Sequence, residues 1–330
     1  MKKGNFLTYA QAINQATLQL MKVDKNILLI GQLVDYKTGV FGTTSGLVEK
    51  YGNSRVKDFP VAESLMTSMS LGLTTANKRV VLVHHRMDFM FYSMDAIVNW
   101  ISLWKFKSGI KNNVKVPIVI RAVVGKGWGQ GPQHSKSVHS WFANLPGLRV
   151  ALPTNAFDAK GLLIESIFSN IPTVIIEHRS LFESKTFVPN ALYKLKFGEA
   201  NLIRSGKDLT VVCIGYIVNE VIKASDILLK NKITLDIIDI RTLSPLDINT
   251  IGKSIKKTGR LLVIDSSWAE FGASSEIISQ SIDKFWKFLK FKPEKIAFPN
   301  SHTPMSSVLE ANYYPNYNTI IKKILKILSK

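Results

Sequence analysis

Short apolar runs rich in β-branched residues alternate along this chain with segments whose apolar positions recur at helical spacing. The runs Ile27–Ile30, Val80–His84, Pro117–Arg121, Arg149–Leu152, Thr173–Glu177, Leu209–Ile214, Thr234–Ile240 and Leu261–Asp265 predict strands. Helices are predicted near Tyr9–Met21, Glu63–Ala76, Asp95–Lys107, Ala156–Ser169, Asn219–Leu229, Asp247–Lys257 and Ser274–Lys287. The strand runs are nearly all-apolar rather than alternating, as parallel strands covered on both faces are. The alternation predicts an α/β fold with mainly parallel sheets.

At 330 residues the chain is too long for one ordinary domain and comfortable for two. A seam lies between about Ser180 and Lys207, where Glu183 to Asn190 has no clean period and a new strand–helix series follows. The expected division is therefore 1–190 and 191–330. The segment from Ile320 to Lys330 is apolar at Ile321, Ile324, Leu325 and Leu328, the spacing of an amphipathic helix docked on the domain. No repeat at solenoid period and no low-complexity tract interrupts this pattern.

Composition narrows the class. Apolar residues make up 46% and charged residues 20%, which allows sizeable cores. No window is apolar enough to cross a membrane, and the first residues do not read as a secretory signal. The single cysteine, Cys213, lies inside the run Leu209–Ile214 and reads as a small buried hydrophobe. These features lead us to expect a cytoplasmic protein. The net charge of +19 admits a nucleic-acid or anionic-membrane partner. The lysines are dispersed, however, with no zinc-finger spacing, aromatic RNA-binding motif or basic tail, so a generally basic surface is the simpler expectation.

Three segments could carry chemistry. In Asp58-Phe59-Pro60-Val61-Ala62-Glu63-Ser64, Glu63 opens a helix. It is either an acid complementing the helix dipole or a carboxylate at the mouth of a sheet, where α/β proteins place ligands. In His84-His85-Arg86-Met87-Asp88-Phe89, two histidines end a strand; successive strand residues point to opposite faces, which disfavours a zinc site. The segment from Gly125 to Ser135 has alternating glycines, then His134. It lacks the residues of a P-loop and, interrupted by Pro132, makes a poor dinucleotide fingerprint. It reads as a loop that delivers His134 to a site. Ser135 beside His134 is not a triad, since sequence neighbours do not make one.

In order, these segments resemble the β subunits of 2-oxoacid dehydrogenase E1 components, of pyruvate and branched-chain type, within the transketolase-like family. The resemblance rests on Gly39-Val40-Phe41-Gly42 with Gly46-Leu47, Phe59 to Ser64, Asp88-Phe89 with Asp95 to Asn99, and Gln133-His134-Ser135. It continues through Pro146-Gly147-Leu148, Pro153-Thr154 with Asp158 to Leu163, Asp239 to Asp247, and Lys257 to Arg260. It implies a pyrimidine-binding domain followed by a transketolase C-terminal domain, with thiamine diphosphate as cofactor and a small 2-oxoacid as substrate. It also implies roles. Glu63 matches the glutamate that bonds N1′ of the aminopyrimidine ring, Phe89 an aromatic packed on that ring, and His134 a histidine handling charge or protons near the thiazolium. His85, where better-known members carry Gln, is expected against the cofactor.

The resemblance has gaps. Arg86 stands where those members carry Phe, so the substrate is open. The Gly-Asp-Gly motif through which the family holds Mg²⁺ and the diphosphate is not in this chain. That implies an α-type partner in an α2β2 assembly, with the metal ligands on the partner and none here. A lipoyl acyltransferase is the family's usual further partner, and its basic docking domain would be repelled by a chain at +19. Two alternatives stay open. One is half of a split transketolase-like or acyl-transferring thiamine enzyme of a sugar or polysaccharide pathway. The other is a non-catalytic basic binding module.

Overall fold

The computed structural model describes residues 3–108, 114–127 and 129–329. Trp128 of the glycine-rich segment, Lys330 of the segment expected to form a terminal helix, and the first two residues lie outside them. The chain forms two compact units. One comprises Met1–Gly125 and Trp141–Lys196, the other Lys126–Ser140 and Phe197–Lys330.

In the first unit six strands lie side by side in the order Arg149–Ala151, Thr173–His178, Ile118–Val124, Arg79–His84, Ile27–Gly31, Val56–Asp58. Every pairing among them is parallel. Ile118–Val124 and Thr173–His178 are buried at every residue, so the nearly all-apolar runs report parallel strands rather than helices. The chain leaves Ile27–Gly31 for Val56–Asp58 on one side and leaves Arg79–His84 for Ile118–Val124 on the other. The strand order thus reverses between Gly31 and His84, the place where open α/β sheets bind ligands. The approach there is close: a methyl group on Gly31 would meet the Val83 carbonyl oxygen at 2.7 Å, so no larger residue fits.

Helix Tyr9–Val23 begins with a capping box between Thr8 and Gln11 and packs on helix Ala156–Phe168, which Asn155 caps. The segment predicted as one helix over Asp95–Lys107 is broken. Ala96–Ile101 is π-helical, with Ser102 N bonded to the Ile97 carbonyl, and a separate turn follows at Trp104–Lys107. β-Branched residues at Ile97, Val98 and Ile101 crowd the preceding turn, and the Ser102 hydroxyl competes for the Val98 carbonyl. An antiparallel pair, Gly4–Thr8 with Lys185–Pro189, was not foreseen, because neither strand has an apolar run.

The second unit contains a five-stranded sheet in the order Glu294–Phe298, Leu261–Trp268, Leu209–Ile214, Leu235–Asp239, Asn201–Arg204, in which only the last strand is antiparallel. Cys213 is buried in the central strand, and burial pushes its thiol pKa well up, which keeps it inert. The terminal helix runs Tyr317–Leu328, and its buried residues are Ile320, Ile324 and Ile327 rather than the face read from the sequence. Among the described residues no helix is long and apolar enough to cross a membrane.

Helix Ile248–Thr258 is held at its start by Asp247, which accepts from Thr250 N at 3.0 Å and Thr250 Oγ1 at 2.6 Å. Burial alone would raise the Asp247 pKa, but these bonds and one from Ala200 N hold it below the ordinary carboxylate range. Asp247→Ala is expected to destabilise the unit by about 1 kcal/mol at pH 7. A depressed pKa gives stability that is present above the unfolded value and lost as pH falls through the folded one. The gap between wild type and variant in urea melts should therefore shrink below about pH 4.

Candidate functional site

The site of the first unit is built on the strand ends at the order reversal. Gly31 is followed by Gln32 and Leu33, and His84 by His85 and Arg86. The neighbouring strand ends are stitched together: Phe59 N donates to the Gly31 carbonyl, and Val34 N to Asp58 Oδ1 at 3.3 Å. That brings the turn before Glu63 onto the same end of the sheet. Glu63 is the first residue of helix Glu63–Thr75, whose N-cap Ala62 supplies no side-chain bond. Its side chain is only 7% exposed, and Oε1 accepts from Gln32 Nε2 at 3.2 Å. The two readings of Glu63 therefore coexist: it lies in the first turn of a helix and at the mouth of a sheet.

The two histidines diverge: the strand ends at His84, and His85 lies beyond it. His84 is buried, with Nε2 3.0 Å from Thr67 Oγ1, one turn beyond Glu63. Burial pulls its pKa down to about 3, so it is a neutral strut between helix and strand. His85 instead lines a cavity of about 530 Å³ with Leu33, Tyr36, Phe41, Arg179 and Phe182. Its pKa is lowered to about 4 by burial, then by the charges of Arg86 and Arg179. Phe41 carries the His85 ring edge-on at 4.8 Å and the Arg179 guanidinium at 4.3 Å. Phe89 is half-buried in the short helix Met87–Met90, which continues the same strand end.

His134 belongs to the second unit and is half-buried at the end of the turn Gly131–Gln133. Gly127, Gly129 and Gly131 all have φ between +61° and +82°, a region other residues rarely adopt, so the alternating glycines are a backbone requirement. The loop is latched. Lys126 Nζ lies 4.4 Å from the Tyr216 ring centroid and 5.1 Å from that of Tyr314, and Gly127 N donates to Glu310 Oε1 at 2.7 Å. At its far end His139 Nε2 meets Asp265 Oδ1 at 2.8 Å, with Ser137 Oγ 3.3 Å from Nδ1. This Ser–His–Asp string has the connectivity of a triad, but His139 and Asp265 are fully buried, so it fastens the loop. Cation–π contacts of a half-buried lysine contribute about 1–2 kcal/mol. Lys126→Met should therefore speed amide exchange across residues 126–140 by roughly 5–30-fold while leaving the sheet amides unchanged.

The sequence reading missed Gln32, Arg179, the Lys126 latch and the His139–Asp265 pair. No local signal marks Gln32 or Arg179, and His139 and Asp265 are 126 positions apart. Among the described residues no group of three or more His, Cys, Asp or Glu could hold a metal ion.

Two sheets of this order, in this sequence, define a two-domain protein of transketolase type. The profile described as transketolase, pyrimidine binding domain, matches residues 6–185, and that of transketolase, C-terminal domain, matches 198–320. The β subunit of acetoin:2,6-dichlorophenolindophenol oxidoreductase from Cupriavidus necator is 34% identical over 320 residues, 94% of each chain. The β subunit of the pyruvate dehydrogenase E1 component from Bacillus subtilis is 33% identical over 323 residues, 98% of each. A solved structure titled split gene transketolase, inactive beta4 tetramer, shares the fold, with a TM-score of 0.79 at 19% identity over 98% of this chain and 99% of that one. The chain belongs to the transketolase-like family of 2-oxoacid dehydrogenase E1 β subunits.

Proposed function

We propose that this chain is the β-type half of a thiamine-diphosphate-dependent 2-oxoacid dehydrogenase E1, active in the cytoplasm with an α-type subunit as α2β2. The observation that carries the reading is Glu63: a nearly buried carboxylate at the strand-order reversal, in a chain collinear with β subunits. Bound thiamine diphosphate supplies a ring that adds to a carbonyl and accepts the electrons of decarboxylation. Glu63 would share a proton with the aminopyrimidine, held in position by Gln32. Phe89 and His85 would bound the ring, and His134 would hold or move a proton during acyl transfer. Residues 1–190 would then be the pyrimidine-binding domain and 191–330 the transketolase C-terminal domain. The α-type partner would supply Mg²⁺ and its ligands, because the motif for them is not in this sequence.

The charge of +19 favours a second reading, an acyl-transferring or split transketolase-like enzyme that passes its product to an acceptor other than a lipoyl acyltransferase. Reconstitution with the α-type chain tests both. With thiamine diphosphate and Mg²⁺, turnover of a 2-oxoacid is expected with an artificial electron acceptor. Turnover only with an aldehyde acceptor would favour the second reading. No turnover with either, in a stable complex, would remove both.

A further inference from the structure

The cavity that His85 lines combines apolar walls with an arginine. It lies at the strand-order reversal, where Gln32 bonds Glu63 and the next residue, Leu33, forms part of the cavity wall. Its volume of about 530 Å³ is that of a small-molecule site, and Leu33, Phe41 and Phe182 make much of its wall apolar. Among its lining residues Arg179 is the cation. Its guanidinium lies 4.3 Å from the Phe41 ring centroid, while His85 meets the edge of the same ring. Arg86 follows His85 in the chain; burial first, and then the charge of Arg179, lowers its pKa to about 10. Asp88 offsets Arg86 in part, and Glu183 stands exposed at the rim.

The backbone around this wall is strained. Leu33 and Phe41 have φ of +57° and Val40 of +30°, conformations rare for such residues. Strain of this kind persists where the surroundings over-determine it, and it clusters at ligand clamps. A guanidinium stacked on a ring can pair through its planar fork with a carboxylate or phosphate, and an apolar wall strengthens such a pairing.

Resting on the E1 β reading, we propose that this cavity holds an anionic group at the end of the substrate away from the reacting carbonyl. Arg179 is its principal ligand, with His85 and Arg86 beside it. The substrate class is then a 2-oxo compound that carries a second acidic group, either a carboxylate or a phosphate ester.

Calorimetry on the full chain tests the cavity without any turnover. The probes are glutarate, inorganic phosphate and, as a monoanionic comparator, pentanoate. One dianion is expected to bind at one per chain, at least tenfold tighter than pentanoate, and which one binds separates carboxylate from phosphate. Arg179→Met and Arg86→Met should each weaken it tenfold or more, whereas Lys290→Met, in the second unit, should leave it unchanged. Should Arg179→Met fold poorly by circular dichroism, Arg179→Lys serves, since it keeps the charge and loses the fork. Equal binding by wild type and both arginine variants, or no stoichiometric binding, would overturn the proposal. In the reconstituted enzyme the dianionic 2-oxo substrate should exceed pyruvate in kcat/KM, and Arg179→Met should erase that preference through KM. Turnover of pyruvate with no preference would overturn the cavity assignment and leave the E1 β reading standing. No turnover of any substrate would overturn the E1 β reading, while calorimetry would still decide the cavity.

Discussion

Glu63→Gln is expected to reduce turnover of the reconstituted enzyme by roughly 10²–10⁴-fold, the range attributed to a positioned proton-transfer group. The substitution is close to isosteric. Gln32 Nε2 now donates to Glu63 Oε1 at 3.2 Å, and a glutamine carbonyl can accept the same bond. The helix start at Glu63–Thr75 loses an acid from its first turn, a change of only about 0.3–1 kcal/mol. Assembly and urea stability should therefore stay close to wild type, and the loss should fall on kcat. Glu63→Asp separates chemistry from charge. It keeps an ionisable carboxyl but withdraws it by one methylene, so partial activity is expected there and almost none in Glu63→Gln. Full activity of Glu63→Gln in a correctly assembled complex would remove Glu63 from the chemistry and leave it as a helix-start acid.

Much of the frame for that residue was legible in the sequence. The strand Leu209–Ile214 was read with the bounds the structure has, because a buried parallel strand is apolar along its whole length. Glu63 was read at the start of its helix because Pro60 precedes it and an apolar period follows. An edge strand escaped notice for the opposite reason. Glu294–Phe298 is largely half-exposed and carries mixed residues, so nothing distinguishes it from a loop, whereas Asn201–Arg204 falls inside Gly198–Gly206, a segment that reads as a strand or a turn. The broken helix after Asp95 was misread because periodicity reports which residues face the core, not whether a hydrogen bond spans four residues or five. The cavity was visible only in part. His85 and Arg86 stood out, but Arg179 joins them through the order of strands, and that order is a property of long-range pairing rather than of any local run.

Glu177→Ala is expected to destabilise the first unit by about 3–5 kcal/mol, the cost of stranding one member of a buried ion pair. Arg121 and Glu177 face one another in adjacent parallel strands, Arg121 in register with Ile175 and Glu177 with Val123. Their contact is bidentate, Nε to Oε1 at 2.6 Å and Nη2 to Oε2 at 2.8 Å, and both side chains are fully buried. Tyr9 is buried beside them, and its hydroxyl pKa is pushed well up by that burial and then by the Glu177 charge. Removing the carboxylate leaves a guanidinium in a low-dielectric interior without the bonds that offset its desolvation. Replacing both partners by apolar residues of similar volume, Arg121→Met with Glu177→Leu, removes the charge together with its partner. Such pairs are often neutral or stabilising. The double variant should therefore be more stable than Glu177→Ala by several kcal/mol, read from urea midpoints at equal slope. A loss below about 1 kcal/mol in Glu177→Ala would place the pair among contacts that water can replace, a result at odds with its burial. The pair lies in the sheet that carries Gly31 and His84, so a looser sheet should also blur the spacing of those two strand ends. In the reconstituted enzyme Glu177→Ala should then raise KM, although neither residue is among those assigned to the chemistry.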